Sequence, residues 1–245
     1  MTSTDGSSRW TALDLFAGLG GFSSAFEDSG HWRVVQVDIE GRFDPDIRAD
    51  VLELRPNDLP DADLVLASPP CKCFSRAAAW ADHFDGEGTP QTAEARESVA
   101  LVYHTLGLIE AISPRYWVLE NPMGSKIKQY LGEPTARVTY CQYGTTYQKP
   151  TYLWGQHPPM SYRWCSDGDQ CHEHGSLEDE RDQRPLPRDP AKRAKVPREL
   201  SKSIREAVKD AFENPPPEQA TLVHATDGGK AWEQSTASEQ ENESR

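Results

Sequence analysis

The 245-residue sequence lacks any apolar run near the roughly 20 residues that a membrane-spanning helix requires. Its first eight residues are polar and lack the basic and apolar regions of a signal peptide. We therefore expect a cytoplasmic protein with no membrane partner. The sequence has only five cysteines, and an odd number in a cytoplasmic chain argues against a disulfide framework and favours thiol chemistry or metal binding.

Lysine is also rare, with nine among 26 basic residues, whereas 39 residues are acidic and the net charge is −13. Such a balance ordinarily argues against a nucleic-acid partner, because phosphate repels a negative surface. The acidic residues are nevertheless spread along the whole chain, as in proteins kept soluble at high salt. A local basic patch would therefore decide binding, and the net charge does not exclude DNA or RNA.

Strand-like and helical segments alternate along the first two thirds of the chain. β-like runs cover 11–16, 33–37, 63–67, 116–119, 137–143 and 151–154, and helical spacing covers 22–28 and 93–112. This alternation predicts an α/β fold with a doubly wound, mostly parallel sheet of the Rossmann-like kind. The predicted divisions are a disordered lead (1–10), a main domain (11–155), an irregular segment (156–190), a C-terminal helix packing back on the main domain (191–213) and a disordered tail (214–245).

A glycine turn follows the first β-like run, in the sequence Asp-Leu-Phe-Ala-Gly-Leu-Gly-Gly-Phe that ends at Phe22. Glycine lets the backbone approach a ligand closely, although a tight strand–helix turn gives the same pattern. Asp38, at the end of the next run, can accept both hydroxyls of a ribose. No third glycine stands three residues after Gly20, which suits a nucleoside cofactor better than NAD. Asp50 is either a partner for an adenine amino group or a loop cap.

Two further strand ends carry reactive side chains. Pro69 and Pro70 hold Cys71 in a rigid turn, and we expect the neighbouring Lys72 to lower the pKa of its thiol. Cys73 competes for that role, and the two cysteines could also form a redox or metal pair, although their spacing is poor for one. Glu120 follows a buried run, where a carboxylate is costly unless it has a function or braces a loop.

Taken in order over about residues 11–154, these segments resemble the motifs of the cytosine-C5 DNA methyltransferase family. The glycine turn resembles its cofactor motif, and Pro-Cys-Lys-Cys-Phe-Ser at 70–75 resembles its Pro-Cys-Gln-x-Phe-Ser nucleophile motif. Glu-Asn-Pro at 120–122 resembles Glu-Asn-Val, and Gln-Tyr-Gly at 142–144 matches the strand-end motif. Four ordered motifs are far more specific than any one of them.

The resemblance implies a class I S-adenosylmethionine-dependent methyltransferase that acts on a flipped-out cytosine, most simply in duplex DNA. Cys71 would add to C6 of the base, and Glu120 would hydrogen-bond and protonate N3. The implied cofactor-binding residues are Phe16, Gly18, Gly20, Asp38, Asp50 and Pro70. The substrate-binding residues that we predict are Asn121, Gln142, Lys149, Arg181, Arg184 and Arg188.

The chain also departs from the family pattern. Lys149 could replace one of two cytosine-holding arginines, but Thr151 cannot replace the other. Arg193-Ala194 stands where the last motif usually has Gly-Asn, and the target-recognition region shrinks to about 155–190. This short form resembles orphan methyltransferases of phages and archaeal elements.

That short region contains possible zinc ligands, which are Cys165, Cys171, His172 and His174. Because Cys171 and His172 are adjacent, which is awkward for two ligands of one ion, we expect no metal. Three other functions stay open: an amino-methyltransferase, an RNA cytosine methyltransferase, and a non-catalytic DNA-binding regulator that kept the cofactor fold.

Overall fold

The computed structural model describes residues 10–75, 81–166, 169, 171–172 and 187–215, so the predicted lead at 1–10 and tail at 214–245 lie almost wholly outside the described residues. Seven strands form one sheet: β1 (Trp10–Leu15), β2 (Trp32–Asp38), β3 (Ile47–Arg48), β4 (Leu64–Ala67), β5 (Tyr116–Pro122), β6 (Ala136–Thr139) and β7 (Pro150–Trp154). The helices are α1 (Ser24–Glu27), α2 (Ala93–Ile112), α3 (Lys128–Leu131), α4 (Pro190–Ala194) and α5 (Arg198–Glu213). Short 3₁₀ turns include Val51–Glu53 and Tyr140–Tyr143.

The strand order is β3-β2-β1-β4-β5-β7-β6, and β7 runs antiparallel to both of its neighbours while the other pairs are parallel. The chain moves outward from β1 to β3 and then crosses back to β4 on the other side of β1. This reversal places a switch point between β1 and β4, where the carboxyl ends of the strands open a crevice for ligands. The predicted doubly wound, mostly parallel sheet is confirmed.

The two faces of the sheet are covered by different helices, because successive side chains of a strand point to opposite sides. Leu13 and Leu15 of β1 pack in the cluster that contains Val102 and Ile109 of α2. The other face of β1 packs with Phe26 of α1, and the α5 side chains Leu200, Ile204 and Val208 complete that cluster. Both layers leave the carboxyl edge of the sheet open to the loops that follow the strands.

Two predicted segments differ from the structure. The helix expected over 191–213 is divided, because α4 ends at Ala194 and α5 begins at Arg198. Pro197 explains the break, since a proline disfavours helical backbone in the residue before it. The β-like run 137–143 ends as a strand at Thr139 and continues as a 3₁₀ turn. Within the described residues, no helix is both long and apolar enough to cross a membrane.

Candidate active site

The loop after β4 holds Cys71 at the open edge of the sheet. Pro69 is buried, and its carbonyl accepts a hydrogen bond of 2.9 Å from the Nδ2 of Asn121 on β5. Directly after the prolines, the backbone N–H of Ser75 donates to the carbonyl of Cys71 at 2.8 Å, which closes a turn. Cys71 itself remains partly exposed. Asn121, which we predicted to bind substrate, therefore braces the loop that carries Cys71.

The two neighbouring cysteines have different surroundings. Cys73 is buried and packs in the core beside Phe74 on the α2 side of the sheet. Cys71 lies outside that core cluster, and its thiol is influenced by the charges of Lys149 and Glu120. Of the two, Cys71 is therefore the thiol that a substrate in the crevice could reach.

Glu120 lies at the carboxyl end of β5 and is only 3% exposed. Its Oε1 accepts a 2.7 Å hydrogen bond from the Tyr140 hydroxyl and faces the Lys149 ammonium at 3.4 Å. The same ammonium lies 4.3 Å from the centre of the Tyr140 ring. Burial, followed by the charge of Glu120, raises the pKa of Tyr140, so its hydroxyl stays protonated as a donor. Neither of these contacts uses Oε2.

The reversed direction of β7 explains why these groups meet. Tyr140 directly follows β6 and Lys149 directly precedes β7, and the Tyr140 N–H donates to the Lys149 carbonyl at 3.1 Å. Because β7 is antiparallel to β5, its start lies at the edge where β5 ends. The β6–β7 connection therefore carries a cation and a phenol to Glu120.

The thiol of Cys71 experiences opposing influences. Burial raises its pKa most, the Lys149 ammonium is the largest influence that lowers it, Glu120 raises it and Arg193 lowers it. We expected the sequence neighbour Lys72 to supply the main cation. That expectation was wrong, because the Lys72 side chain is exposed and the principal cation is Lys149, which directly precedes β7.

The glycine turn after β1 forms the wall of the crevice at the switch point. Phe16, Gly18 and Gly20 all have positive φ angles, of 63°, 52° and 64°. The Gly18 N–H donates to Oδ2 of Asp38 at 2.8 Å. A Cβ added at Gly18 would meet nothing within 4 Å, so the turn faces open space at this position. A backbone with this curvature lets a ligand approach the main chain closely.

Asp38 and Asp50 both hold backbone groups. Oδ1 of Asp38 accepts the Glu40 N–H at 2.8 Å, and Oδ1 of Asp50 accepts the Leu52 N–H at 2.9 Å. The loop-cap alternative for Asp50 is thus present, and its second oxygen could still serve a ligand. Ile39, which none of the sequence motifs indicated, is 58% exposed directly after Asp38. A large apolar residue beside a strand-end carboxylate is the sequence signal that could have identified it.

The segment between α4 and α5 covers the glycine turn from outside. A Cβ on Gly21 would lie 2.6 Å from both Lys195 Cγ and the Val196 carbonyl oxygen. Ser201 of α5 donates its hydroxyl to the Phe22 carbonyl at 2.6 Å. The chain's last motif therefore closes against its first, although Arg-Ala replaces the usual Gly-Asn.

The crevice suits a polar nucleoside cofactor. Ser68 directly follows β4, and Asn121 lies near the end of β5. The Oγ atom of Ser68 and the Oδ1 atom of Asn121 are both buried and have no hydrogen-bond partner among the described residues. Such groups are costly unless a ligand or water satisfies them. Together with the open face at Gly18 and the carboxylate of Asp38, they fit a ligand that carries both donors and acceptors.

The remaining predicted residues differ in their exposure. Gln142 is half-buried in the Tyr140–Tyr143 turn, Pro70 is exposed, and Arg188 is exposed just before α4. Arg181 and Arg184 lie outside the described residues. The structure therefore brings Cys71, Glu120 and Lys149 together, and the contacts of the others stay predictions.

Comparison with known proteins agrees with this arrangement. Residues 10–128 match the family model described as C-5 cytosine-specific DNA methylase. A probable DNA (cytosine-5)-methyltransferase of Frog virus 3 is 30% identical over 172 residues, which are 65% of this chain and 76% of the viral protein. The chain belongs to the cytosine-5 DNA methyltransferase family. Membership confirms the predicted enzyme class, a methyltransferase that uses S-adenosylmethionine and acts on cytosine in DNA.

Other relatives match over smaller shares. The Type II methyltransferase M.BsuFI of Bacillus subtilis is 29% identical over 124 residues, and the match covers 47% of this chain but 28% of the Bacillus protein. The solved methyltransferase EhMeth of Entamoeba histolytica overlaps with a TM-score of 0.45 at 12% identity, over 65% of this chain and 58% of that one.

Proposed function

We propose that this methyltransferase modifies C5 of a flipped-out cytosine in duplex DNA through a covalent bond from Cys71. The observation that carries the proposal is the position of Lys149, which faces Glu120 and is the main cation acting on the Cys71 thiol. One ammonium thus lies beside the proposed acid, Glu120, and also lowers the pKa of the proposed nucleophile, Cys71. Thiolate addition to a base needs this pair, because C5 of cytosine is otherwise unreactive.

Cys71 and Glu120 would act together on the base, one as the nucleophile and the other as the proton donor. The Cys71 thiolate forms a bond to C6 while Glu120, at N3, donates a proton, so negative charge does not accumulate on the ring. C5 then carries the electron density of the former double bond. When bound, S-adenosylmethionine supplies the methyl group that C5 accepts. Transfer of the C5 proton to a water molecule and breakage of the bond to Cys71 restore the double bond of the ring and the thiolate, and the N3 proton returns to Glu120.

The cofactor would occupy the crevice between the glycine turn and the loop after β4. Asp38 would accept the ribose hydroxyls, the exposed Ile39 would cover one face of the adenine, and Asp50 would accept from the adenine amino group. The backbone of Gly18 faces the same space. The base enters from the side of Cys71 after leaving the duplex, since a stacked cytosine presents neither C5 nor C6 to a thiol.

The test compares two cysteine variants. The protein is incubated with labelled S-adenosylmethionine and duplex DNA, and the DNA is digested to nucleosides. We expect 5-methylcytosine from the unmodified chain and none from Cys71→Ser, which should still bind the cofactor because a hydroxyl replaces only the nucleophile. The matched control, Cys73→Ala, changes a buried thiol outside the site and should keep most of the activity.

A duplex that contains 5-fluorocytosine tests the covalent step separately. Fluorine at C5 cannot leave as a proton, so a denaturant-stable adduct should accumulate on Cys71. An adduct on Cys73, or a product methylated at the exocyclic N4, would show that the proposed chemistry is wrong. Label in RNA but not in DNA would show that the substrate is RNA, while the proposed covalent chemistry would still hold.

A further inference from the structure

Four ligand-type side chains meet beside β6, away from the crevice. They are Cys141 in the turn after β6, Cys165, Cys171 and His172, and their ligand atoms all lie within 4.8 Å of one another. Cys141 and Cys165 are buried, whereas Cys171 and His172 are partly exposed. We infer that these four residues form a structural zinc site, which is distinct from the methyl-transfer site.

The distances match a tetrahedral ion. Zinc–sulfur bonds of about 2.3 Å place two sulfurs of a tetrahedron about 3.8 Å apart. In the structure, Cys171 Sγ lies 3.5 Å from Cys141 Sγ and 3.3 Å from Cys165 Sγ. His172 Nδ1 lies 3.4 Å from Cys171 Sγ and 3.6 Å from Cys165 Sγ. Because Nδ1 is the ring nitrogen nearer the backbone, the adjacent Cys171 and His172 can both reach one ion.

A disulfide accounts for this cluster less well. Bonded sulfurs are about 2.05 Å apart, whereas Cys171 is nearly equidistant from two other thiols at 3.3 and 3.5 Å. A single disulfide would also not explain why the third thiol and the imidazole lie beside the other two sulfurs. Three sulfurs and one nitrogen form a full set of four ligands, and such closed sites are structural rather than catalytic.

The surroundings of the cluster include a donor for a thiolate. Gln148 Nε2 donates to Cys165 Sγ at 3.5 Å, which is the kind of outer hydrogen bond that orients metal ligands. The Cys165 N–H donates to Thr139 Oγ1 at 3.2 Å, and the Thr139 N–H donates to the Arg163 carbonyl at 3.1 Å. The chain before Cys165 is therefore fixed along β6 before the ligands meet.

A metal explains how this part of the chain holds its position. From 155 to 166, Cys165 is the one buried residue, so this segment has no apolar core of its own. A bound ion supplies folding free energy where burial does not. The cluster also adjoins the active site in sequence, since Cys141 follows Tyr140 and Gln148 precedes Lys149. Both of those neighbours contact Glu120.

This inference reverses our expectation of no metal. From the sequence we named His174 as a possible zinc ligand, and that residue lies outside the described residues. We did not name Cys141. Cys141 stands 24 positions before Cys165 inside a different motif, so no ligand spacing shows it. Only the fold of the β6–β7 connection brings it to the other three.

The test is metal analysis of the full chain, purified under a thiol reductant without chelator. We expect one zinc per chain by mass spectrometry, and the spectrum of tetrahedral thiolate-bound cobalt after exchange with Co²⁺. Cys171→Ser should lose zinc to a competing chelator at least about 10-fold more readily. Cys73→Ala, a buried cysteine outside the cluster, should retain one zinc.

A second variant guards against simple misfolding. His172→Cys keeps four ligands, so it should still hold one metal and show a stronger thiolate-to-cobalt band. Three outcomes would overturn the inference: only traces of zinc after reconstitution, iron in its place, or equal zinc retention by Cys171→Ser and Cys73→Ala. A thiol titration that finds three free thiols, the five cysteines less two in a disulfide, would also overturn it.

Discussion

Replacement of Lys149 by methionine tests the central feature of the site. Methionine keeps the length and much of the apolar stem of lysine but removes its charge. The side chains of Lys149 and Glu120 are 14% and 4% exposed, with 3.4 Å between Nζ and Oε1. Two unit charges at that distance attract by about 5 kcal/mol at an effective dielectric constant of about 20.

The net loss of stability should be smaller than this attraction, because methionine no longer has an ammonium to desolvate. Removing one partner of a buried pair costs about 3–5 kcal/mol, chiefly by leaving the other charge uncompensated. Glu120 keeps the Tyr140 hydrogen bond of 2.7 Å, so we expect the lower end, about 3 kcal/mol. The variant should also raise the pKa of the Cys71 thiol further, since its main stabilising cation is lost.

Two assays separate these effects. Urea unfolding at pH 7.5 measures the free energy, and the rate of Cys71 alkylation against pH, followed by peptide mass, measures the thiolate. Lys149→Arg should behave nearly as the unmodified chain. Lys128→Met is the matched control, because its pair with Glu133 is exposed and should contribute at most about 1 kcal/mol. Equal stability losses in Lys149→Met and Lys128→Met, with no alkaline shift of alkylation, would refute the reasoning.

Two other predictions concern carboxyl groups. Complete burial raises the pKa of Asp14 from 3.8 to about 7, so the folded state holds this proton more tightly and stability should fall as the pH rises from about 4 to about 7. By urea unfolding, the unmodified chain should lose about 3 kcal/mol more than Asp14→Asn between pH 5 and 8, and parallel pH profiles would contradict this. Glu120→Gln should abolish methyl transfer yet let Cys71 alkylate at lower pH, because Glu120 raises the pKa of that thiol; unchanged alkylation would show that the two groups are uncoupled.

Much of the fold could be predicted from periodicity alone. The helix expected over 93–112 coincides with α2, and the strand ends that carry Asp38, Cys71 and Glu120 all lie at the carboxyl edge. Local apolar spacing determines these elements, so a single sequence contains the signal. The break before Pro197 was missed because the apolar spacing of the flanking residues continues through it.

The partners within the site were harder to predict, because they depend on pairing between distant strands. Recognisable sequence motifs contain the proposed nucleophile Cys71 and the proposed acid Glu120, whereas the cation for Cys71 lies 78 positions away, at Lys149 rather than Lys72. No local sequence pattern predicts that β7 runs antiparallel to β5 and starts beside its end. Cys141 was overlooked for the same reason, since the β6–β7 connection alone brings it near Cys165.

A single cation opposite two acids also limits the order of events in the site. Lys149 faces both the Glu120 carboxylate and the Cys71 thiol, and it cannot fully neutralise two negative charges at once. While Glu120 is ionised, its charge therefore opposes formation of the thiolate. Transfer of a proton from Glu120 to N3 would leave that carboxylate negative again, so Lys149 is needed most after Cys71 has become neutral in its bond to C6. Because burial and the charge of Glu120 both raise the pKa of the Cys71 thiol, the free enzyme should keep Cys71 as an unreactive thiol until the base arrives.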